Sequence, residues 1–307
     1  MTTPVSPTAT PTMTDKDPLA RIKEFCRSAS YETTALTPAQ MDEVKAMAIP
    51  GAAIYVAAIP SRPLSEQIDT SAGLRERGLE PVPHFAARNF ESAEAVETQL
   101  RQLVDKAGTT RALVIAGDRP EPAGPFPDAL SIIKTGILQR NGIKEVAISA
   151  YPDGHPRITD EQLASSMQDK LAVVKEAGLQ VRIMTQFSMS SQPYVDLLKR
   201  LRGQGIDLPI GVGIAGPASM KTLLRFAAIC GVRTSAQSAV RNVGLLKGLI
   251  TGSTSDPVVR DLAMIDGLGD VYPHFFSFGG LPATMRWVMA AANGNIKLTG
   301  DGFEVLK

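Results

Sequence analysis

Cysteine, histidine and tryptophan are scarce in this sequence of 307 residues, which contains two cysteines, three histidines and one tryptophan. The two cysteines, Cys26 and Cys230, stand far apart and form no paired or metal-type spacing. A disulfide framework and a cysteine-based zinc site are therefore not predicted. We interpret both cysteines as free thiols of a reducing compartment.

The sequence also has little net charge and no long apolar run. Its formal net charge is +1, so the composition favours neither a nucleic-acid nor a membrane partner. No apolar run reaches about 18 residues, the length that a membrane-spanning helix requires. Residues 1–17 are rich in Thr, Pro and Ser, and they predict a disordered tail rather than a signal peptide. We expect a cytoplasmic protein with a single folded domain over residues 18–307.

Eight short apolar runs recur along the chain and predict eight β-strands. They cover residues 30–34, 53–59, 81–87, 112–118, 145–151, 181–187, 208–215 and 271–278. Several are apolar almost throughout, which is typical of parallel strands buried on both faces. Amphipathic segments of helical length lie between them, and one begins at Ser92 as a cap and ends at Gly108. The pattern predicts an α/β fold, a single-domain (β/α)8 TIM barrel. An open doubly wound sheet is the alternative, but no glycine-rich phosphate turn follows the first run.

Ionisable or amide side chains stand at or just past the ends of these apolar runs. They are Glu32, His84, Asp118, His155, Gln186 and His274. In a (β/α)8 barrel the reactive groups lie at the carboxyl ends of the strands, so we expect these side chains to converge on one face. Each of them also has a structural interpretation as a hydrogen-bonded or capping residue. Carboxylates near the strand ends are few, and a metal site is not predicted.

Six segments of the sequence carry a resemblance to a known family. They are SYETTALTPAQMDEV, VPHFAAR, ALVIAGDRPEP, EVAISAYPDGHP, RIMTQF and VYPHFFSF. In this order they resemble the motifs of the methylenetetrahydrofolate reductase family, and the resemblance extends over about residues 28–290. The central three motifs are specific in combination, although each alone is weak.

The resemblance implies a (β/α)8 barrel that reduces 5,10-methylenetetrahydrofolate to 5-methyltetrahydrofolate, a step toward methionine biosynthesis. It implies FAD as hydride carrier, NADH or NADPH as hydride donor, and a homo-oligomer. Glu32 would be the general acid that opens the substrate ring to a methylene iminium cation, with a pKa raised by burial near Tyr31. Asp118 would stabilise that cation. The other implied residues are Ser30, Gln186 and Phe187 for the folate, and His84, Gly117, Ala150, Tyr151 and His155 for the flavin.

Several cofactor positions depart from the family pattern. Ala116 stands where the family has arginine, Ala57 or a neighbour replaces a threonine, and Phe126 replaces a tyrosine. Two interpretations stay open: a divergent reductase that holds FAD, and a flavin-independent reductase in which NADH or NADPH delivers hydride directly. A folate-dependent methyl- or methylene-transfer enzyme and a folate-binding subunit are further alternatives.

Overall fold

Eight parallel strands close into a barrel in a computed structural model of the chain, which describes residues 17–232 and 255–306. Each strand pairs with the next, and β8 pairs with β1 to close the ring. The predicted (β/α)8 fold is confirmed. The strands are β1 Ser30–Thr33, β2 Ala53–Val56, β3 Glu80–Ala86, β4 Arg111–Ile115, β5 Glu145–Ala150, β6 Gln180–Thr185, β7 Ile210–Ala215 and β8 Val271–Phe276.

Helices alternate with the strands and surround the barrel. The first and the last of them pack against each other, and a short antiparallel hairpin of β9 Ile296–Leu298 and β10 Phe303–Val305 follows. The helices are α1 Pro18–Arg27, α2 Pro38–Met47, α3 Leu64–Glu76, α4 Ala93–Ala107, α5 Ala129–Lys134, α6 Ile137–Arg140, α7 Asp160–Glu176, α8 Gln192–Gly203, α9 Met220–Ile229, α10 Asp256–Ala263 and α11 Leu281–Asn293.

Local sequence signals account for the helix ends. Before α4, the Ser92 hydroxyl accepts a hydrogen bond from the backbone N–H of Ala95 at 3.2 Å, and Gly108 ends the helix with a φ of +55°. The predicted strands begin within two residues of the observed ones, but all except the seventh, which ends at Ala215 as predicted, extend too far at their carboxyl ends. Thus the predicted strand 112–118 is observed as Arg111–Ile115. The loops after the strands are rich in small apolar residues, which a hydrophobic pattern does not distinguish from strand.

The core has two main layers that follow from the alternation of side chains along each strand. Ile54 and Val56 of β2 face outward into the large cluster beneath the helices, whereas Tyr55 faces the barrel interior. The interior cluster consists of Tyr55, Val82, Leu113, Ala147, Met184 and Tyr272. Residues two positions further along two of these strands, His84 and His274, therefore also face inward, nearer to the carboxyl end.

Two further expectations from the sequence concern membrane-spanning helices and the N-terminal tail. Within residues 17–232 and 255–306, no helix is both long and apolar enough to cross a lipid bilayer. The predicted tail lies outside the described residues except for Asp17, whose carboxylate caps α1 through the N–H of Leu19 at 3.0 Å.

Candidate active site

Glu32 lies between two histidines at the carboxyl end of the barrel. Its Oε2 atom is 3.7 Å from His84 Nε2 and 3.6 Å from His274 Nε2. Both imidazoles are buried, and neither Nε2 atom has a hydrogen-bond partner of normal geometry among the described residues. The Ser30 hydroxyl is 2.9 Å from His274 Nδ1, so it fixes the orientation of that ring. Ring contacts from Tyr55 support both imidazoles from below, with centroids 6.1 Å from His84 and 4.8 Å from His274.

The pKa of Glu32 differs from the sequence-based expectation. Burial opposes ionisation of the carboxyl group, but charge on His84, together with the hydrogen bond and charge of His274, holds the pKa of Glu32 below its usual range. Tyr31 does not contribute as predicted, because its ring faces the outer layer and stacks on Phe275 at 6.2 Å. Burial also lowers the pKa of His84. The expectation of a raised pKa for Glu32 is therefore wrong.

Gln186 follows the end of β6, and its side-chain amide is held in one orientation. Its Oε1 accepts a hydrogen bond from the N–H of Phe187 at 2.9 Å, while the backbone N–H of Gln186 donates to the carbonyl of Ala150 at 2.8 Å. The Gln186 side chain lies close enough to Cys230, which follows α9, to act against the rise in the pKa of its thiol. Burial raises the pKa of Cys230 to about 12, and negative charge on Glu32 and Asp118 contributes to the rise. The electrostatic influence of both carboxylates thus reaches the same thiol.

The end of β8 adds an aromatic surface to this face. The ring of Phe278 stacks on Phe226 with centroids 4.1 Å apart and on Phe276 at 5.6 Å. Phe187 supports them, at 5.1 Å from Phe278 and 5.9 Å from Phe276. Phe187 is fully buried, so its side chain stands behind the aromatic surface and is not exposed to a substrate. Ser30 is likewise buried and orients His274.

Strand β7 contributes backbone instead of side chains next to this surface. A Cβ atom added to Gly213 would collide with the carbonyl oxygen of Thr185 and the ring of Phe276. The Gly213 N–H donates to the Thr185 hydroxyl at 2.8 Å, and the Gly213 carbonyl accepts from the hydroxyl of the buried Tyr194. The same Tyr194 hydroxyl accepts from the N–H of Ser188. These bonds fix the backbone on both sides of Gln186.

The residues that the resemblance implies for a flavin fall into separate groups. His84 lies beside Glu32, whereas Tyr151 and His155 contact each other after β5, with ring centroids 5.2 Å apart. Ala150 is buried at the end of β5. Gly117 follows β4 with a φ of +89°, and a Cβ there would approach Ala86 Cβ to 3.1 Å, so the position requires glycine.

A cavity of about 270 Å³ opens beside His84, between the ends of β2 and β3. Its walls are mainly aliphatic and include Ala57 and Ala86, and Arg62 is the cation among the described lining residues. Arg62 already pairs with Glu66 at 3.3 Å. Cavities for drug-sized ligands are roughly 300–1,000 Å³, and FAD is larger than such ligands and carries a diphosphate. This cavity alone therefore does not accommodate a complete FAD.

Two residues of this site received no role from the sequence. His274 was recognised only as a strand-end histidine, and its place beside Glu32 depends on the pairing of β8 with β1, which sets Ser30 opposite His274. Cys230 was interpreted only as a free thiol, and no local signal indicates its proximity to Gln186; both cysteines are indeed free. Among the described residues, no group of three His, Cys, Asp or Glu could hold a metal ion.

A (β/α)8 barrel that gathers a carboxylate, two imidazoles and an amide at the carboxyl ends of its strands has the architecture of a barrel enzyme. The chain belongs to the methylenetetrahydrofolate reductase family, because the model of that family matches residues 55–241, more than half of the sequence. Glu32 and His274 lie outside the matched range.

One relative and two solved structures illustrate the similarity. Methylenetetrahydrofolate reductase (NADH) 1 of Arabidopsis thaliana is 25% identical over 172 residues, which cover 52% of this chain and 28% of that protein. The match thus spans less than a third of the relative. A thermostable aldo-keto reductase aligns with a TM-score of 0.48 at 12% identity over 89% of this chain and 91% of its own. Dihydropteroate synthase from Thermus thermophilus aligns with a TM-score of 0.46 at 15% identity over 86% of this chain and 92% of its own. These two scores support no functional argument.

Proposed function

We propose that the chain reduces 5,10-methylenetetrahydrofolate to 5-methyltetrahydrofolate with NADH or NADPH as the hydride source. Membership of the family supports the substrate class. The observation that carries the proposal is the position of Glu32, which lies between His84 and His274 on the face that also holds Gln186. Ring opening of the folate requires an acid positioned to protonate N10.

The first step breaks the bond between the methylene carbon and N10 of the folate. N10 takes up a proton, and the carbon remains on N5 as an iminium cation. Because the pKa of Glu32 is lowered, we assign the proton to the Glu32–His274 pair and not to an isolated carboxylic acid. His274 holds the proton toward Glu32 Oε2, Ser30 keeps the ring oriented, and Glu32 passes the proton to N10.

The second step transfers a hydride to the iminium carbon and produces the N5-methyl group and NAD⁺ or NADP⁺. The net reaction consumes one proton and one hydride. Asp118, which is exposed after β4, supplies negative charge to the cationic intermediate. Gln186 offers its side-chain N–H to the pterin, since its Oε1 is already occupied by the Phe187 N–H. The aromatic surface of Phe276 and Phe278 would hold donor and acceptor rings face to face.

The walls of the site favour direct transfer from the nicotinamide over transfer through FAD. Ala116, and Ala57 or a neighbour, stand where the family pattern has polar residues, and the cavity beside His84 does not accommodate a complete FAD. A flavin-dependent reductase would need counter-charges for the cofactor diphosphate. The two versions share the same roles for Glu32, His274 and Gln186.

The absorbance spectrum of the freshly purified protein, followed by an assay of NADH oxidation with methylenetetrahydrofolate, tests the proposal. A colourless protein that reduces the folate without stimulation by added FAD supports direct transfer. A stoichiometric flavin spectrum with activity supports the reductase and establishes the FAD-dependent version. A colourless protein with no NADH or NADPH oxidation overturns the reductase, and methyl-transfer or folate-binding assays would follow.

A further inference from the structure

A second cavity, of about 350 Å³, opens at the opposite mouth of the barrel, where the strands begin. Its walls include the residues before β1 and β2 and inward-facing side chains of β4, β6 and β8. None of these residues takes a direct part in the proposed reduction, although Ser30 orients His274 and the Tyr55 ring contacts both imidazoles. The side chains that matter for its chemistry are Arg111, Arg182, Tyr55 and Tyr272, with Arg27 and Asp270 also lining it.

The cavity holds more positive than negative charge. Glu145 pairs with both central arginines: its Oε1 accepts from Arg111 Nε and from Arg182 Nε at 2.7 Å each, and its Oε2 accepts from Arg182 Nη2 at 3.0 Å. One carboxylate thus pairs with two guanidinium groups, and within residues 17–232 and 255–306 no hydrogen bond engages the terminal nitrogens of Arg111. Arg27 and Asp270 offset each other in charge, so one positive charge is in excess.

Two tyrosine hydroxyls add to this surplus of donors. Tyr55 is fully buried and Tyr272 is 8% exposed, and both line the cavity. Neither hydroxyl makes a hydrogen bond of normal geometry with the described residues. The guanidinium of Arg182 lies 5.2 Å from the centre of the Tyr272 ring. The Tyr272 hydroxyl interacts with Arg182 and Tyr55, so the two hydroxyls belong to one cluster with the guanidinium. A ligand that supplies acceptor atoms would complete the hydrogen bonding of this cluster.

We propose that this cavity binds a small oxyanion, the phosphate or carboxylate group of a metabolite. Arginine terminal nitrogens and tyrosine hydroxyls are the donors that such a group requires, and the excess positive charge provides its counter-charge. A cluster of ion pairs with only a structural role would contain one carboxylate for each guanidinium group. The observed set has donors in excess and one carboxylate, Glu145, at its centre.

Binding is tested with inorganic phosphate and, separately, acetate as probes, without folate or nicotinamide, so that failure of the proposed reduction does not affect the result. A ligand of the folded state raises the thermal midpoint as ln(1 + [L]/Kd). We expect phosphate, acetate or both to raise the thermal midpoint relative to chloride of equal ionic strength. The anion that raises the midpoint more shows whether the site prefers a phosphate or a carboxylate group. Equal midpoints in phosphate, acetate and chloride up to about 10 mM would overturn the site.

Two variants locate the binding. Arg111→Gln leaves Glu145 its bidentate pair with Arg182. We expect this variant to bind the preferred probe, phosphate or acetate, about tenfold more weakly or worse, because charge-assisted hydrogen bonds are lost. Tyr272→Phe removes a hydroxyl that makes no hydrogen bond of normal geometry with the described residues, so the ligand-free protein should remain folded while the probe binds less tightly. The matched control is Arg75→Gln, because Arg75 forms a bidentate pair with Glu80 outside this cavity. Equal probe affinity in all three variants would assign the binding elsewhere and refute the proposal.

Discussion

Replacing Glu32 by glutamine removes the acid while it retains the size and polarity of the side chain. The carboxylate Oε2 lies 3.6 Å from His274 Nε2 and 3.7 Å from His84 Nε2, so an amide in this place can still contact both rings. It cannot receive a proton from His274 and pass it to N10. We therefore expect Glu32→Gln to remain folded and to bind the folate, but to lose ring opening.

The size of the loss follows from the role of the group. Proton transfer by a positioned acid contributes about 10²–10⁴-fold to a rate. At 1.36 kcal/mol for each factor of ten, this corresponds to roughly 3–5 kcal/mol of activation free energy. The loss should appear in kcat with the KM for folate little changed, since the interaction is made when the C–N10 bond breaks.

The assay is steady-state oxidation of NADH or NADPH, whichever supports the wild-type rate, with methylenetetrahydrofolate, measured together with thermal unfolding. Glu43→Gln is the control, because Glu43 pairs with Arg286 and lies on α2, away from the barrel mouth. It should retain the wild-type rate. If Glu32→Gln also retains it, the carboxylate is not the acid and the mechanism above fails. If both variants lose activity together with stability, the loss is structural and does not support the role of Glu32.

Three further predictions concern binding and stability. Gln186→Ala should weaken folate binding more than nicotinamide binding in calorimetric titrations, and equal losses would count against its contact with the pterin. Burial lowers the pKa of His84 below its ordinary 6.5, so the unfolded chain binds a proton that the folded chain does not, and stability should fall as pH drops below about 6.5. Urea unfolding of His84→Gln across this range should show a weaker dependence on pH, and an unchanged slope would contradict the burial argument. Tyr194→Phe leaves the Ser188 N–H and the Gly213 carbonyl without their hydroxyl partner and should cost about 1–3 kcal/mol of unfolding free energy, whereas an unchanged urea midpoint would show that other partners replace it.

The sequence predicts the barrel well because its evidence is local. Continuous apolar runs identify strands buried on both faces, and Ser92 and Gly108 identify the ends of a helix from their own chemistry. The carboxyl ends of the strands were placed less well. There, the small apolar residues that leave room for a site resemble the strand that precedes them.

The site was predictable as a face but not as a set of contacts. Glu32, His84 and His274 were each recognisable at strand ends. Their convergence depends on the pairing of β8 with β1 and on which side chains of each strand point into the barrel. The pKa of Glu32 was predicted in the wrong direction for the same reason. Considering only the neighbouring Tyr31 accounts for the burial that raises the pKa of Glu32. It leaves out His84 and His274, which lower that pKa and are distant in sequence but adjacent in space.

Gly213 shows that part of this site depends on clearance. At this position β7 projects no side chain, and the space is occupied by the ring of Phe276 and the Thr185 carbonyl. Even alanine here would displace the backbone that carries Gln186, so the orientation of the amide that we propose for the pterin depends on a side chain that is missing. Laboratory evolution of a new substrate preference should therefore accept changes in the aromatic rings long before it accepts a single methyl group at position 213.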